Sequence, residues 1–384
     1  MVLSPVTHLR LSEDDVATAI LTGAAATKLD RTQALVLLSP AQHVVEAIHD
    51  GLPAVMIQHL RRFRALRVKP KTLRQYAGTV IQFLLWADDL EIPLHCRFPT
   101  PRNLLLLFFS TVSCFYAKST LDKMVAGLRC WHFVHGITWP LDHLENAFLS
   151  RTFGRFALDT LPARRPVRLD DFVAMRARMT ISDGAHAAVF ACALTALWSM
   201  ARHGELTVRT VSAPSPSRPR RRHLALQRQT AGGPVSAVLI HLPEDKTHGR
   251  RGFDRVAAAQ PLHQLFCPVT AVQHHLRLNP APDDAGVSAY LDKDGRVSEL
   301  GSTFFMRTIS EWLAAEGRPP LHGHAFRIGG ATLLHSCGFA PDHIKLLGGW
   351  ASDVAFRYIQ DVHIQRAEQC SNLNISALLR PLSS

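Results

Sequence analysis

Six residues in the C-terminal half of this chain have types and order that could act on a phosphodiester: Arg202, Lys246, His324, Arg327, Trp350 and Tyr358. A guanidinium can fork two phosphate oxygens, an imidazole can move a proton, and a phenol can be a covalent nucleophile. Lys246 is the only lysine between Lys123 and Lys293, so a lysine's part in such a set has no local competitor. The indole of Trp350 donates one hydrogen bond and cannot act as a base. Plainer readings stand beside each. Tyr358 could be a core aromatic on the stripe Val354, Tyr358, Val362, and Arg202 could simply pair with Glu205 three residues on. Lys246 could be an ordinary turn lysine and Arg327 a surface residue, although Phe326 and Ile328 beside it favour a buried edge. His322, His324, His335 and His343, with Cys337, form no closed tetrahedral ligand pattern, so neither a metal nor another cofactor is expected.

The elements that must position these residues are mostly helical. Ala187 to Ala201 is nearly continuous apolar sequence, which predicts a buried helix delivering Arg202 at its end. β-like runs follow at 206–211, 223–228, 236–242 and 252–258, and a hairpin after Leu242 would present Lys246. Asp170 could cap the helix that follows it. From Cys267-Pro268 onward the pattern is helical, with Pro268 and Pro341 in first turns and Gly338 and Gly348-Gly349 as stops. Ser352 would cap the short helix carrying Tyr358.

Upstream, residues 59–156 read as four helices. Thr72 could cap one with Tyr76, Val80, Phe83, Leu84 and Trp86 near one side, ending at Asp88-Asp89. The others fall at about 102–116, from Ser119-Thr120 to the stop at Gly136, and at about 140–156. Residues 1–58 are an extension with no legible chemistry. Residues 157–167, with Pro162 and Pro166, read as a linker to a second domain at 168–384. The insert Ser212–Arg222 carries three prolines with Arg218, Arg220, Arg221 and Arg222. It could touch DNA or serve as a nuclear-import signal, but a solvated basic loop is the expectation.

The bulk properties agree with a globular, DNA-associated protein. The chain has 384 residues, 47% of them hydrophobic and 19% charged, with a formal net charge of +12. Such a charge favours a polyanionic partner, nucleic acid before membrane. The cations are 35 Arg and 8 Lys, a bias that suits phosphate contact and also follows from GC-rich coding. Seven cysteines, an odd number without a CxxC pair, and no opening secretory signal predict reduced thiols in an intracellular compartment. The most membrane-like run, Leu104 to Phe115, falls short of the roughly 20 residues needed to span a bilayer, so no membrane partner is expected.

Taken in order, Arg202-His203-Gly204-Glu205-Leu206, Leu242-Pro243 to Lys246-Thr247, His324-Ala-Phe-Arg327, Gly348-Gly349-Trp350 and Tyr358-Ile359 resemble the catalytic signature of the tyrosine recombinases. Trp350 stands where much of that family has a second histidine. The tryptophan-plus-eight spacing looks most like recombinases of eukaryotic mobile elements such as Cryptons. Lys71-Thr72-Leu73-Arg74-Gln75-Tyr76 and Leu128-Arg129-Cys130-Trp131-His132 are similar, more loosely, to the family's N-terminal core-binding domain. The resemblance implies a mainly α fold with a small antiparallel β-sheet (α+β), a helical core-binding domain plus a catalytic domain closing on DNA as a C-shaped clamp. It implies site-specific cleavage and rejoining of double-stranded DNA through a 3′-phosphotyrosine on Tyr358. Arg202 and Arg327 would clamp the phosphate, Lys246 and His324 would handle protons, and Trp350 would hold phosphate or structure. Lys71, Arg74, Lys118, Lys123 and Arg129 would bind DNA, with self-association to a dimer or tetramer on it, in the nucleus if eukaryotic and otherwise in the cytoplasm or nucleoid. Two other readings remain open: a DNA-binding protein derived from a mobile element that no longer cuts, and a type IB topoisomerase-like relaxing enzyme.

Overall fold

The computed structural model describes residues 51–157, 165–209, 217–244, 248–249 and 251–352. They form two compact units, divided between 157 and 165. The protein is mainly helical with a small antiparallel sheet.

The first unit is all helix: α1 Ala54–Ala65, α2 Pro70–Asp89, α3 Arg102–Val112, α4 Lys118–His135 and α5 His143–Phe156. α2 buries Leu73, Ala77, Val80, Ile81, Leu84 and Ala87 at helical spacing. α4 answers with Leu121, Met124, Leu128 and Trp131. Gly127 lets the two helices approach, because a Cβ there would lie 3.1 Å from Thr79 Cβ. Phe83 meets Phe108 edge-to-face at 5.4 Å, and Trp131 packs on Phe98 at 4.1 Å between centroids. Gly136 ends α4 in the left-handed conformation at φ 74°. Asp142 and Glu145 make a reciprocal capping box on α5. Thr72 is not a cap. Pro70 already occupies the first turn after Lys69, whose extended backbone makes it the capping position, three residues before Thr72.

The second unit is built around α7 Gly184–Trp198, whose residues from Ala187 to Leu197 are all buried. α6 Leu169–Arg178, α9 Pro268–Leu278, α10 Ser302–Ala315 and α11 Ala325–Ser336 contribute to the same core, and α12 Pro341–Leu347 packs on α11. Strands β1 Leu224–Arg228, β2 Val235–Leu242 and β3 Phe253–Ala258 form an antiparallel sheet in that order, with Leu239 opposite Val256. A short hairpin pairs β4 Tyr290–Leu291 with β5 Val297–Ser298. Gly329 and Gly330 seat α11 tightly: Cβ atoms there would lie 2.3 Å from Val167 O and 2.1 Å from Leu197 O. No helix among the described residues is long and apolar enough to cross a membrane.

The stretch from Pro268 onward is not helical throughout, because the β4–β5 hairpin interrupts it, and further local expectations change. The run 206–211 is no strand in its described part: the four-residue helix α8 His203–Leu206 takes up its start, and Val208 makes only an isolated bridge to Gly301. Asp170 does not cap α6. The helix starts at Leu169, so Arg168 is the capping position, and Asp171 in the first turn reaches back to accept its N–H at 2.9 Å. The apolar helix stops at Trp198, short of Arg202, and Met200 turns the chain at φ 50° before α8 begins. Finally, the end of the basic insert is only partly solvated: Arg222 is exposed, but Arg221 is buried and Arg220 half-buried. Arg221 is 9% exposed and donates to Ala289 O at 2.7 Å and to His275 Nε2 at 3.0 Å. Arg220 pairs with Glu299 at 3.1 Å. Buried backbone carbonyls and a carboxylate take these cations out of water because each supplies a partner.

Candidate active site

Arg202 precedes α8, and Glu205 in the next turn reaches back to it. The carboxylate accepts from Arg202 Nη1 at 2.6 Å and from Arg202 backbone N at 3.1 Å. A little over a quarter of the Arg202 side chain, 27%, stays in solvent. Glu205 holds a second cation from β3: Arg255, whose side chain is 1% exposed, gives Nη2 at 3.0 Å and Nε at 3.1 Å to Oε2. Arg255 Nη1 also donates to Gly348 O at 2.9 Å.

Arg327 sits in the first turn of α11 and is fully buried. Its Nη2 donates to the same Gly348 carbonyl at 2.8 Å, and its Nη1 to Met200 O, two residues before Arg202. Trp350 covers it: the guanidinium carbon lies 3.9 Å from the indole centroid. The tight turn at Gly348-Gly349 makes this possible, since a Cβ on Gly348 would strike the Trp350 ring and Gly349 has φ 64°. Trp350 itself is 8% exposed and packs with Met200, Ala331 and Ile344. His324 is the residue before α11, half-buried, with its carbonyl bonded by Ile328 N–H at 3.0 Å.

The sequence-predicted residues Arg202, Arg327 and Trp350 are thus gathered by one bonded chain that runs through Glu205, Arg255 and Gly348. His324 joins it through α11. Lys246 and Tyr358 lie outside the described residues. Lys246 belongs in sequence to the connection between the paired strands β2 and β3. In the first unit, Lys71, Arg74, Lys123 and Arg129 are exposed. Lys118 is tied to Asp122 at 2.7 Å and to Ser150 at 2.8 Å.

Sequence reasoning missed two residues. Arg255 lies on the inward alternation of β3 with Phe253 and Ala257, and an arginine on that side of a strand was the available signal. His203 is held between Gly323 O and Ser302 Oγ, each at 2.8 Å, and stacks on Phe305. Burial, reinforced by the Arg218 guanidinium and opposed by the Gly323 bond, lowers its pKa. It is a neutral strut under α8. Among the described residues no cluster of three or more His, Cys, Asp or Glu is arranged to hold a metal.

This architecture has known counterparts. A XerH site-specific recombinase bound to palindromic difH substrate in a post-cleavage complex covers 89% of this chain and 94% of its own, with TM-score 0.53 and 12% identity. The XerH pre-cleavage complex with difH covers 95% and 98%, with TM-score 0.52 and 14% identity. No protein-family model matches the sequence, and no curated protein matches it significantly. The fold is that of the tyrosine recombinases.

Proposed function

We propose that this chain is a site-specific DNA recombinase or integrase of a mobile element, cutting and rejoining strands through a 3′-phosphotyrosine at Tyr358. The observation that carries the reading is the bonded chain joining Arg202, Arg327 and Trp350 in a fold shared with DNA-bound recombinases. Tyr358 Oη attacks the scissile phosphorus and the 5′ oxygen leaves. The bond energy is kept in the phosphotyrosine, so a 5′-hydroxyl can reverse the step without a nucleotide cofactor. Lys246 supplies the proton to the departing oxygen, and His324 shuttles a proton, taking the one the phenol loses, or holds the phosphate while that proton passes to solvent.

Negative charge grows on the non-bridging oxygens in the transition state, where two guanidiniums can meet it. Arg202 is accessible. Arg327 is fully buried, so the clamp requires that DNA binding bring its Nη atoms to the phosphate. In this mechanism the arginines do the electrostatic work, and cleavage proceeds in excess EDTA. DNA binds across exposed cations that include Lys71, Arg74, Lys123 and Arg129, and self-association on DNA pairs two cleaved strands.

A supercoiled plasmid carrying two copies of the element's terminal sequence tests the reading. Recombination between the sites supports it. Relaxation without a second site points to a topoisomerase-like enzyme, and binding with neither outcome points to a DNA-binding remnant.

A further inference from the structure

Glu205 receives two guanidiniums, and its surroundings assign a task to Arg255. One carboxylate oxygen accepts Arg202 Nη1, while the other accepts the Arg202 backbone and two atoms of the Arg255 guanidinium. Glu205 is 12% and Arg255 1% exposed, so water screens this pair poorly. An Arg202–Glu205 pair alone sums to no net charge, and a phosphate approaching Arg202 would meet a carboxylate 2.6 Å behind it. With Arg255 on the far oxygen, the three side chains together carry one net positive charge. Arg218 faces the same carboxylate at longer range but makes no ion pair with it among the described residues.

We propose that Arg255 is a positioning residue: it balances Glu205 so that the Arg202 charge remains available to a phosphate, while its other arm fixes the Gly348 carbonyl that Arg327 also uses. This rests on the reading of Arg202 as a phosphate ligand, and not on any cleavage step. Arg255 itself is buried on β3.

The test uses the full chain with 15N-labelled arginine, titrated with inorganic phosphate, the Arg202 resonance being assigned by its loss in Arg202→Lys. Arg255→Met should weaken phosphate binding at Arg202 about tenfold. Adding Glu205→Gln, which removes the unbalanced charge but keeps a hydrogen-bond acceptor, should restore most of it. Arg218→Met should change it less than twofold. A purely structural Arg255 would lower the unfolding temperature, and the second substitution would restore nothing. If Arg255→Met does not fold, Arg255→Lys is decisive, because it keeps the charge and should bind phosphate within about threefold of wild type. Wild-type binding by Arg255→Met, no recovery in the double variant, an equal loss in Arg218→Met, a tenfold loss in Arg255→Lys, or a wild-type Arg202 that ignores phosphate would each overturn the proposal. If Arg202 answers phosphate as described but the protein never joins to DNA, the recombinase reading falls and the role of Arg255 stands.

Discussion

The guanidinium of Arg327 and the indole of Trp350 are stacked, the guanidinium carbon 3.9 Å from the ring centroid, inside a protein region where both are buried. The cation is spread over a flat group that matches the ring, and two backbone carbonyls take its Nη atoms. Trp350 therefore acts as the cover that holds the Arg327 guanidinium in place. Trp350→Ala should destabilise the second unit by about 3–5 kcal/mol. Trp350→Phe keeps a ring for the stack and should cost clearly less. Hydrogen exchange in α11 and α12 reads this directly, and equal loss of protection in the two variants would mean that the stack is not what holds Arg327.

The glycines of α11 predict a contrast. Gly330→Ala drives a methyl to within 2.1 Å of Leu197 O, so α11 must move and carry Arg327 with it. The expected loss is about 1–3 kcal/mol. Gly78 lies inside α2 with nothing within 4 Å of its would-be Cβ, so Gly78→Ala should stabilise by up to about 1 kcal/mol through helix propensity. Thermal unfolding of both variants should move in opposite directions.

How much of this was legible in the sequence depended on range. The stops at Gly136, Gly338 and Gly348-Gly349 are local chemistry and could be read one residue at a time. The burial of Arg327 was signalled by its neighbours Phe326 and Ile328. Its stacking partner, 23 positions away, was not. Arg255 and Arg221 escaped for a common reason: an arginine reads as surface until the carboxylate or carbonyls that receive it are brought in from elsewhere. The misplacing of the cap at Asp170 turned on a two-residue shift in the helix start: Arg168 is the capping position and Leu169 enters the helix.

Two buried histidines give the fold an acid limit. Burial lowers the pKa of His132 to about 4 and that of His275 to about 3, the latter helped by the Arg221 guanidinium beside it. Both folded values lie below the ordinary 6.5, so between them the unfolded chain binds more protons. The stabilisation is complete above pH 6.5 and is lost as the pH falls towards 4, by roughly 3 kcal/mol for His132. Thermal unfolding of the full chain should show a midpoint that drops from pH 7 to pH 4.5. A midpoint that holds steady or rises over that range contradicts the neutral, buried histidines.

The first unit separates exposed cations from a tied one. On duplex DNA, alanine at Lys71, Arg74, Lys123 or Arg129 should each reduce the slope of log affinity against log salt by about 0.9 if that residue meets a phosphate. Lys118 is engaged with Asp122 and Ser150, so Lys118→Ala should leave the slope nearly unchanged. Titrations between 50 and 200 mM salt, on the order used for such slopes, would show the pattern reversed if Lys118 is the phosphate contact.

The central claim is the covalent bond between Tyr358 and DNA, and a suicide duplex nicked beside the cleavage point tests it most directly. The wild-type chain should accumulate a protein–DNA adduct in excess EDTA, and peptide mapping should place the DNA on Tyr358. Tyr358→Phe should bind the same duplex and form no adduct. An adduct that persists in Tyr358→Phe, or one that maps to Tyr76, Tyr116 or Tyr290, would contradict the account.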